Sequence, residues 1–160
     1  MISSHGNIII LGLGVSGKAA LELALSRGIK VKALDEKKNA ELLEYASRKQ
    51  SPSIEIQLGG EINYSHKNCS LIVASPGISA SSPLAKFAKS SGLPVISEIE
   101  FAAQISKKPL IAITGTNGKT TTTELTAHIL NSIGLRASAS GNTGFSLSEA
   151  VLNENLFDCH

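Results

Sequence analysis

Tryptophan is absent from this sequence, tyrosine occurs twice and phenylalanine four times, so no core can be organised around large aromatic rings. The packing has to come from Ile, Leu, Val and Ala, the composition expected of helices laid on a buried parallel sheet. An excess of charge is missing too. Fifteen Lys and Arg against 13 Asp and Glu leave a formal +2, too little to argue for a nucleic-acid or membrane partner. No apolar run approaches the roughly 18 residues of a membrane span. A secretion signal is not recognisable, because the apolar run at 7–11 enters a glycine turn instead of a small-residue cleavage site. Cys69 and Cys159 match no metal or redox spacing and read as thiols of a reduced cytosol. His5, His66, His128 and His160 also lack ligand spacing and read as surface or helix positions. A cytoplasmic protein is expected.

What the sequence does contain is an ordinary 42% of hydrophobic residues in 160 positions, enough for one domain or one domain and part of another. Its most informative stretch is PLIAITGTNGKTTTT at 109–123. A strand-like run at 110–114 meets Gly115, Thr116, Asn117, Gly118, Lys119, Thr120 and Thr121, and a helical pattern continues to 133 with Leu125, Ile129, Leu130 and Ile133 on one side. Strand, glycine turn and helix in this order aim unpaired backbone N–H groups and a positive helix end at one point, which suits a phosphate. Lys119 adds a charge for a terminal phosphate, and the Thr120 hydroxyl suits the Mg²⁺ that accompanies ATP. The usual phosphate-loop spacing asks for a glycine where Ile113 stands, so this is a shortened variant in which Gly115 makes the turn. An ordinary turn that happens to carry Gly-Lys-Thr is the competing reading.

The first half repeats the theme. A strand at 7–11 leads into GLGVSG at 12–17, then a helix at 18–27, then a strand at 30–34 that ends at Asp35. G-x-G-x-x-G after a strand, before a helix and followed by an acid at the next strand's end is the pattern of a mononucleotide-binding βαβ unit. By itself it does not separate a nicotinamide dinucleotide from another nucleotide diphosphate, and a glycine-tightened turn that binds nothing remains open. Further elements are expected as a helix at 39–49, strands at 54–58 and 70–74, a helix at 83–90 opened by serines and Pro83, a strand at 94–96, and a helix to 105 with Ser97 and Glu100 as its capping box. The turn Ser75-Pro76-Gly77 follows a strand's carboxyl end, where open α/β sheets place ligand contacts. Alternating strands and helices predict a Rossmann-like parallel α/β domain over 1–106. The polar Ser106-Lys107-Lys108-Pro109 marks a boundary, and 107–160 reads as an incomplete P-loop α/β domain: a strand at 135–139, a Gly141-Asn142-Thr143-Gly144 turn, a helix at 146–153 and the start of a strand at 157–160. The roughly fifty residues after Pro109 are few for such a domain to bury its own sheet.

GLGVSG with Asp35, ASPGI at 74–78 and TGTNGKTT at 114–121, in that order, resemble the Mur ligase family of bacterial cell-wall synthesis across essentially the whole chain. The GLGxSG turn is similar to that of the D-glutamate-adding branch. The alanine-adding branch has a different glycine turn and a histidine in its ATP loop. The resemblance implies ATP-driven amide formation between UDP-N-acetylmuramoyl-L-alanine and D-glutamate, through an acyl phosphate. It implies that Gly14, Val15 and Ser16, with Asp35, Glu36, Lys37, Ser75, Pro76 and Gly77, meet the UDP end of the substrate, and that Asn142 and Thr143 lie near the reaction centre. It implies that residues 115–121 hold ATP, with Lys119 catalytic and Thr120 at Mg²⁺. Glu36 departs from the pattern, placing a negative charge where some relatives are neutral. The family's later Mg²⁺-binding glutamate, its carbamylated lysine and its amino-acid-binding domain have no counterpart in these 160 residues, so the chain alone is expected to lack ligase activity. Family members are usually monomers, and an incomplete second sheet leaves self-association open. A nicotinamide-binding module, a ligase for another amino acid and a non-catalytic binding protein are the alternatives.

Overall fold

The computed structural model describes residues 6–49, 51–60, 66–141 and 144–160. His5, Asn142 and Thr143 lie outside them. Five strands, β1 (Asn7–Leu11), β2 (Val31–Asp35), β3 (Ile54–Leu58), β4 (Cys69–Ala74) and β5 (Val95–Ser97), form one sheet in the order β3-β2-β1-β4-β5. Every pairing is parallel. The chain builds outward from β1 to β3, returns, and continues on the other side with β4 and β5. The strand order therefore reverses between β1 and β4, and a crevice opens at their carboxyl ends.

Burial on both faces explains why β1 is an uninterrupted apolar run. Ile8 and Ile10 point into one core, with α1 (Val15–Ser26) and α4 (Glu98–Ile105), while Ile9 and Leu11 point into the other, with α3 (Pro83–Ser90). At the edge, β3 alternates, and Glu55 stands opposite Lys32 of β2 with Nζ to Oε2 at 3.7 Å. Helix α2 (Ala40–Arg48) is capped by Asn39, whose side chain accepts from the Leu42 N–H. It is held to α1 by charge: Lys18 meets Glu41, and Glu22 accepts from the Tyr45 hydroxyl and the Lys49 ammonium. The Ser82 cap on α3 forms as its sequence predicts, whereas only the Ser97 half of the box expected on α4 forms, the Glu100 carboxylate accepting from Gln104 instead.

The second half departs from expectation. Helix α5 (Lys119–Ser132) forms, but none of its residues is buried, and Leu125, Ile129 and Ile133 are 55%, 51% and 69% exposed. The runs at 110–114 and 135–139 do not form strands. A ladder needs a partner at each step, and among the described residues each run has only one or two. The His160 N–H donates to the Pro109 carbonyl and the Ile111 N–H to the His160 carbonyl, at 3.0 and 2.8 Å. Ala137 forms an isolated parallel bridge with Cys159. The 157–160 segment thus lies between the other two as the middle of a rudimentary parallel arrangement, fixed by a two-pronged Arg136–Asp158 pair at 2.8 and 3.1 Å. That pairing holds the Asp158 carboxyl down to about 2.

By contrast, helix α6 (Leu147–Leu152), capped by Ser146, packs against α1 and α4. Leu147, Ala150 and Val151 enter the same core as Ile8 and Phe101. Burying Leu147 and Val151 is worth roughly 1.5–3 kcal/mol each, and the exposed face of α5 gains nothing comparable. A short 3₁₀ turn (Glu154–Leu156) comes next.

His160 is 8% exposed and its Nδ1 lies 2.7 Å from the Ser138 hydroxyl. Burial disfavours its charged form, so its pKa is lowered from 6.5. A depressed folded value means that the unfolded chain binds the proton first, so this contribution to stability is complete above about 6.5 and lost as pH falls through the folded value. Amide exchange at Ile111 and Ser138, corrected for intrinsic rate, should therefore accelerate between about pH 7.5 and about pH 5. Unchanged protection factors would contradict this.

Candidate functional site

At the carboxyl ends of β1, β2 and β4 the crevice widens into a cleft of about 620 Å³. Gly14, Val15, Ser16, Asp35, Glu36, Lys37, Ser75, Pro76 and Gly77 all line it. Residues that lie in three separate turns of the sequence thus meet on one surface.

The glycine turn is built by contact. Gly12 has φ +82° and donates its N–H to the Leu34 carbonyl at 2.8 Å. Helix α1 starts at Val15, inside the motif and three residues before the sequence suggested, with Gly14 as its N-cap. Gly17 is consequently in the first turn of the helix, and a Cβ there would come within 1.8 Å of the Gly12 carbonyl oxygen. The third glycine is what lets α1 sit this close to β1.

Three of the polar candidates hold the cleft together. The Ser75 hydroxyl donates to the Gly12 carbonyl at 2.9 Å, joining β4 to the glycine turn across the switch point. Asp35 accepts from the Leu13 N–H at 2.6 Å and from the Lys37 N–H at 2.8 Å, one on each carboxylate oxygen. Glu36 reaches over to α3 and accepts from the Leu84 N–H at 3.0 Å. The negative charge that the resemblance left unexplained thus serves a helix N-terminus, where it is electrostatically favoured. Val15, 64% exposed, offers an apolar wall.

Sequence reasoning missed several cleft residues. Ile78, Ser79 and Ser82 come from the β4–α3 connection and Leu84 from the first turn of α3, and only the tertiary fold brings them here. Lys18 also lines the cleft. Its signal was its place one residue after the glycine motif, but its ammonium is 2.5 Å from Glu41 and 5.1 Å from the centre of the Tyr45 ring. The hydrogen bond and charge of Lys18 hold the Glu41 carboxyl below its usual range.

The second glycine turn stands apart from the cleft residues. Gly115 has φ +154°, and Gly118, at φ +77°, is the N-cap of α5 without any side-chain cap. Among the described residues no partner takes the N–H groups of residues 116–121. Lys119 folds back, its ammonium 2.5 Å from the Gly115 carbonyl and 3.2 Å from that of Thr116. The Thr120 hydroxyl has no hydrogen bond among the described residues. Free N–H donors at a helix start, a lysine ammonium on the loop and a free hydroxyl fit a polyphosphate with its divalent metal.

Fold and site together define a doubly wound α/β protein with two glycine-built turns of the kind that accept phosphate. Residues 6–97 match the Mur ligase MurD-like, N-terminal domain, and residues 113–156 match the Mur ligase middle domain. The chain belongs to the Mur ligase family. UDP-N-acetylmuramoylalanine–D-glutamate ligase of Caldanaerobacter subterraneus subsp. tengcongensis is 40% identical over 145 residues, which are 91% of this chain and 32% of that protein. The enzyme of the same name from Lactococcus lactis subsp. lactis is 41% identical over 157 residues, 94% of this chain and 34% of that one. The chain thus spans about a third of the length of the curated relatives it matches. Among solved structures, the murein peptide ligase of Psychrobacter arcticus 273-4 is similar with a TM-score of 0.52 and 27% identity, over 82% of this chain and 28% of that one. Among the described residues no helix is long and apolar enough to cross a membrane.

The contact at Gly17 can be tested directly. Gly17→Ala should cost at least about 2 kcal/mol, because its Cβ meets backbone that cannot rotate away. Gly14→Ala, where a Cβ has open space, should stay within about 0.5 kcal/mol. Urea unfolding of the two variants checks this, and equal midpoints would refute it.

Proposed function

We propose that this chain is the nucleotide-substrate end and part of the ATP-binding unit of a ligase that adds D-glutamate to UDP-N-acetylmuramoyl-L-alanine in peptidoglycan precursor synthesis. Residues 1–106 form the unit for the UDP end of the substrate, and 107–160 belong to the ATP-binding unit. The observation that carries the reading is the meeting of the nine first-half candidates on one cleft, in a chain about 40% identical to enzymes named for this reaction.

In the cleft, the glycine turn brings backbone to the diphosphate, and the exposed Val15 offers the base an apolar surface. Asp35, Glu36 and Ser75 keep the three turns in place through the hydrogen bonds described above. A carboxylate is a poor electrophile, so the L-alanine carboxylate first attacks the γ-phosphorus of ATP, and ADP leaves. The amine of D-glutamate then attacks the acyl carbon, loses its proton and expels phosphate. Catalysis of the first step is mostly positioning and charge neutralisation. The N–H groups of 116–121 hold the polyphosphate, and Lys119 leaves the loop carbonyls to meet the transferring phosphoryl group. The Thr120 hydroxyl would serve as a ligand to Mg²⁺, which would add further charge neutralisation there. Asn142 and Thr143 belong near the reaction centre on the family pattern. The site of action is the cytoplasm, and a monomer is the expected state.

Calorimetric titration of the 160-residue chain separates this reading from a nicotinamide module. UDP-N-acetylmuramoyl-L-alanine should bind and NADH should not. The opposite result would overturn the assignment of the cleft. Lys119→Ala should weaken MgATP binding by about tenfold or more, the scale of a charged hydrogen bond to phosphate, and should leave the uridine ligand's affinity unchanged. Equal MgATP affinity in the variant would remove Lys119 from the site.

A further inference from the structure

Glu98 is a carboxylate only 3% exposed, at the first position of α4. Its Oε1 accepts from the Ser148 N–H at 2.6 Å, across fifty positions of sequence. Ser148 is in the first turn of α6, so the carboxylate faces the positive end of that helix, where a buried negative charge finds both a donor and a favourable field. None of the roles proposed above uses this contact.

What α6 connects gives the contact its consequence. On one side it packs on α1 and α4, contributing Leu147, Ala150 and Val151 to the core beneath the cleft. On the other it leads through the 3₁₀ turn to the 157–160 segment, whose last residue is hydrogen-bonded to Pro109 and Ile111. Those two residues open the run into the Gly115 turn. A second polar tie lies alongside: Glu154 accepts from Arg27 of α1 at 3.0 Å and from the Lys107 N–H at 3.1 Å. Helix α5 has no buried residue, so it cannot fix the second unit in place. Two routes therefore lead from the first unit to the phosphate loop, the short 106–108 turn after α4 and the packed path through α6.

We infer that Glu98 is a positioning residue: its buried carboxylate locks α6 to the first unit and thereby sets the orientation of the 115–121 loop relative to the cleft. Burial of Leu147, Ala150 and Val151 places α6 against α1 and α4, but apolar contacts carry no directional bond at the helix start. A 2.6 Å hydrogen bond from one backbone N–H supplies that direction and pins the first turn of α6 to the first turn of α4. The functional meaning rests on the assignment of cleft and loop to two nucleotides, but the mechanical statement does not.

Hydrogen exchange on the ligand-free 160-residue chain supplies the first test. In the unmodified protein, the amides of α6 should be protected like those of β1, and those of α5 should exchange fast. Exchange of α6 at the α5 rate would overturn the inference whatever any variant does. In Glu98→Ala, protection of α6 and of His160 should fall by about tenfold or more, the scale of leaving one buried N–H without a partner, while β1 and β4 keep theirs. Equal loss in β1 would mean a general stabilising role and would also overturn it. Spin labels at Lys89→Cys and at the exposed Leu110→Cys, between the two residues bonded to His160, in a Cys69→Ser background, give the positional readout. One narrow distance is expected with Glu98 and with Glu98→Gln, which keeps an acceptor oxygen, and a broad distribution with Glu98→Ala. A narrow distribution in the alanine variant would refute the positioning role. Because no nucleotide is present, failure of uridine binding would count against the proposed function and leave this result standing.

Discussion

The approach of α1 to the end of β1 is the constraint on which the rest of this structure depends. Gly17 lies against the Gly12 carbonyl with no room for a Cβ, so α1 can begin inside the glycine motif and aim its first turn at the crevice. Ser75 then ties β4 to the same carbonyl, and Asp35 ties β2 to the next N–H along. Three strand ends are thereby gathered around one backbone turn. A cleft made this way has little freedom to collapse without a ligand, since each wall is hydrogen-bonded to another. Preorganisation of this kind lowers the ordering cost of binding.

The carboxylates illustrate how charge is used away from chemistry. Asp35, Glu36 and Glu98 each accept from backbone N–H groups, and Glu36 and Glu98 do so at the starts of α3 and α6. These are placements where a negative side chain satisfies donors that the helix itself leaves open. Two of the three line the cleft and one lies beneath it, so the same device shapes the site and joins it to the later half of the chain.

The two helices of the second half show what burial decides. Six-residue α6 is firmly placed because it shares the first unit's core, whereas fourteen-residue α5 keeps its apolar side chains in solvent. Length and helical pattern favour α5, but helical stability in proteins comes mainly from packing an apolar face. The same holds for the runs at 110–114 and 135–139. They have strand-like sequences, yet a strand is defined by its neighbours, and here the neighbours amount to a few residues of the 157–160 segment.

Local sequence determined the parts of this protein that depend on local rules. Short apolar or alternating runs, glycines at fixed offsets and serines three residues before a helical N–H placed all five strands and most helix ends, and the two glycine turns were legible because Gly12, Gly115 and Gly118 take positive φ and Gly17 leaves room for close approach. The meeting of three turns on one cleft, the bonding of Asp35 and Ser75 to backbone and the reach of Glu36 to α3 were settled by tertiary structure, because each joins atoms that sequence separates by tens of positions. The partnership of Glu98 with Ser148 is the clearest case. On sequence alone Glu98 is one more acid in a helix's first turn, and its burial against α6 follows only from how helices from the two halves pack on one sheet.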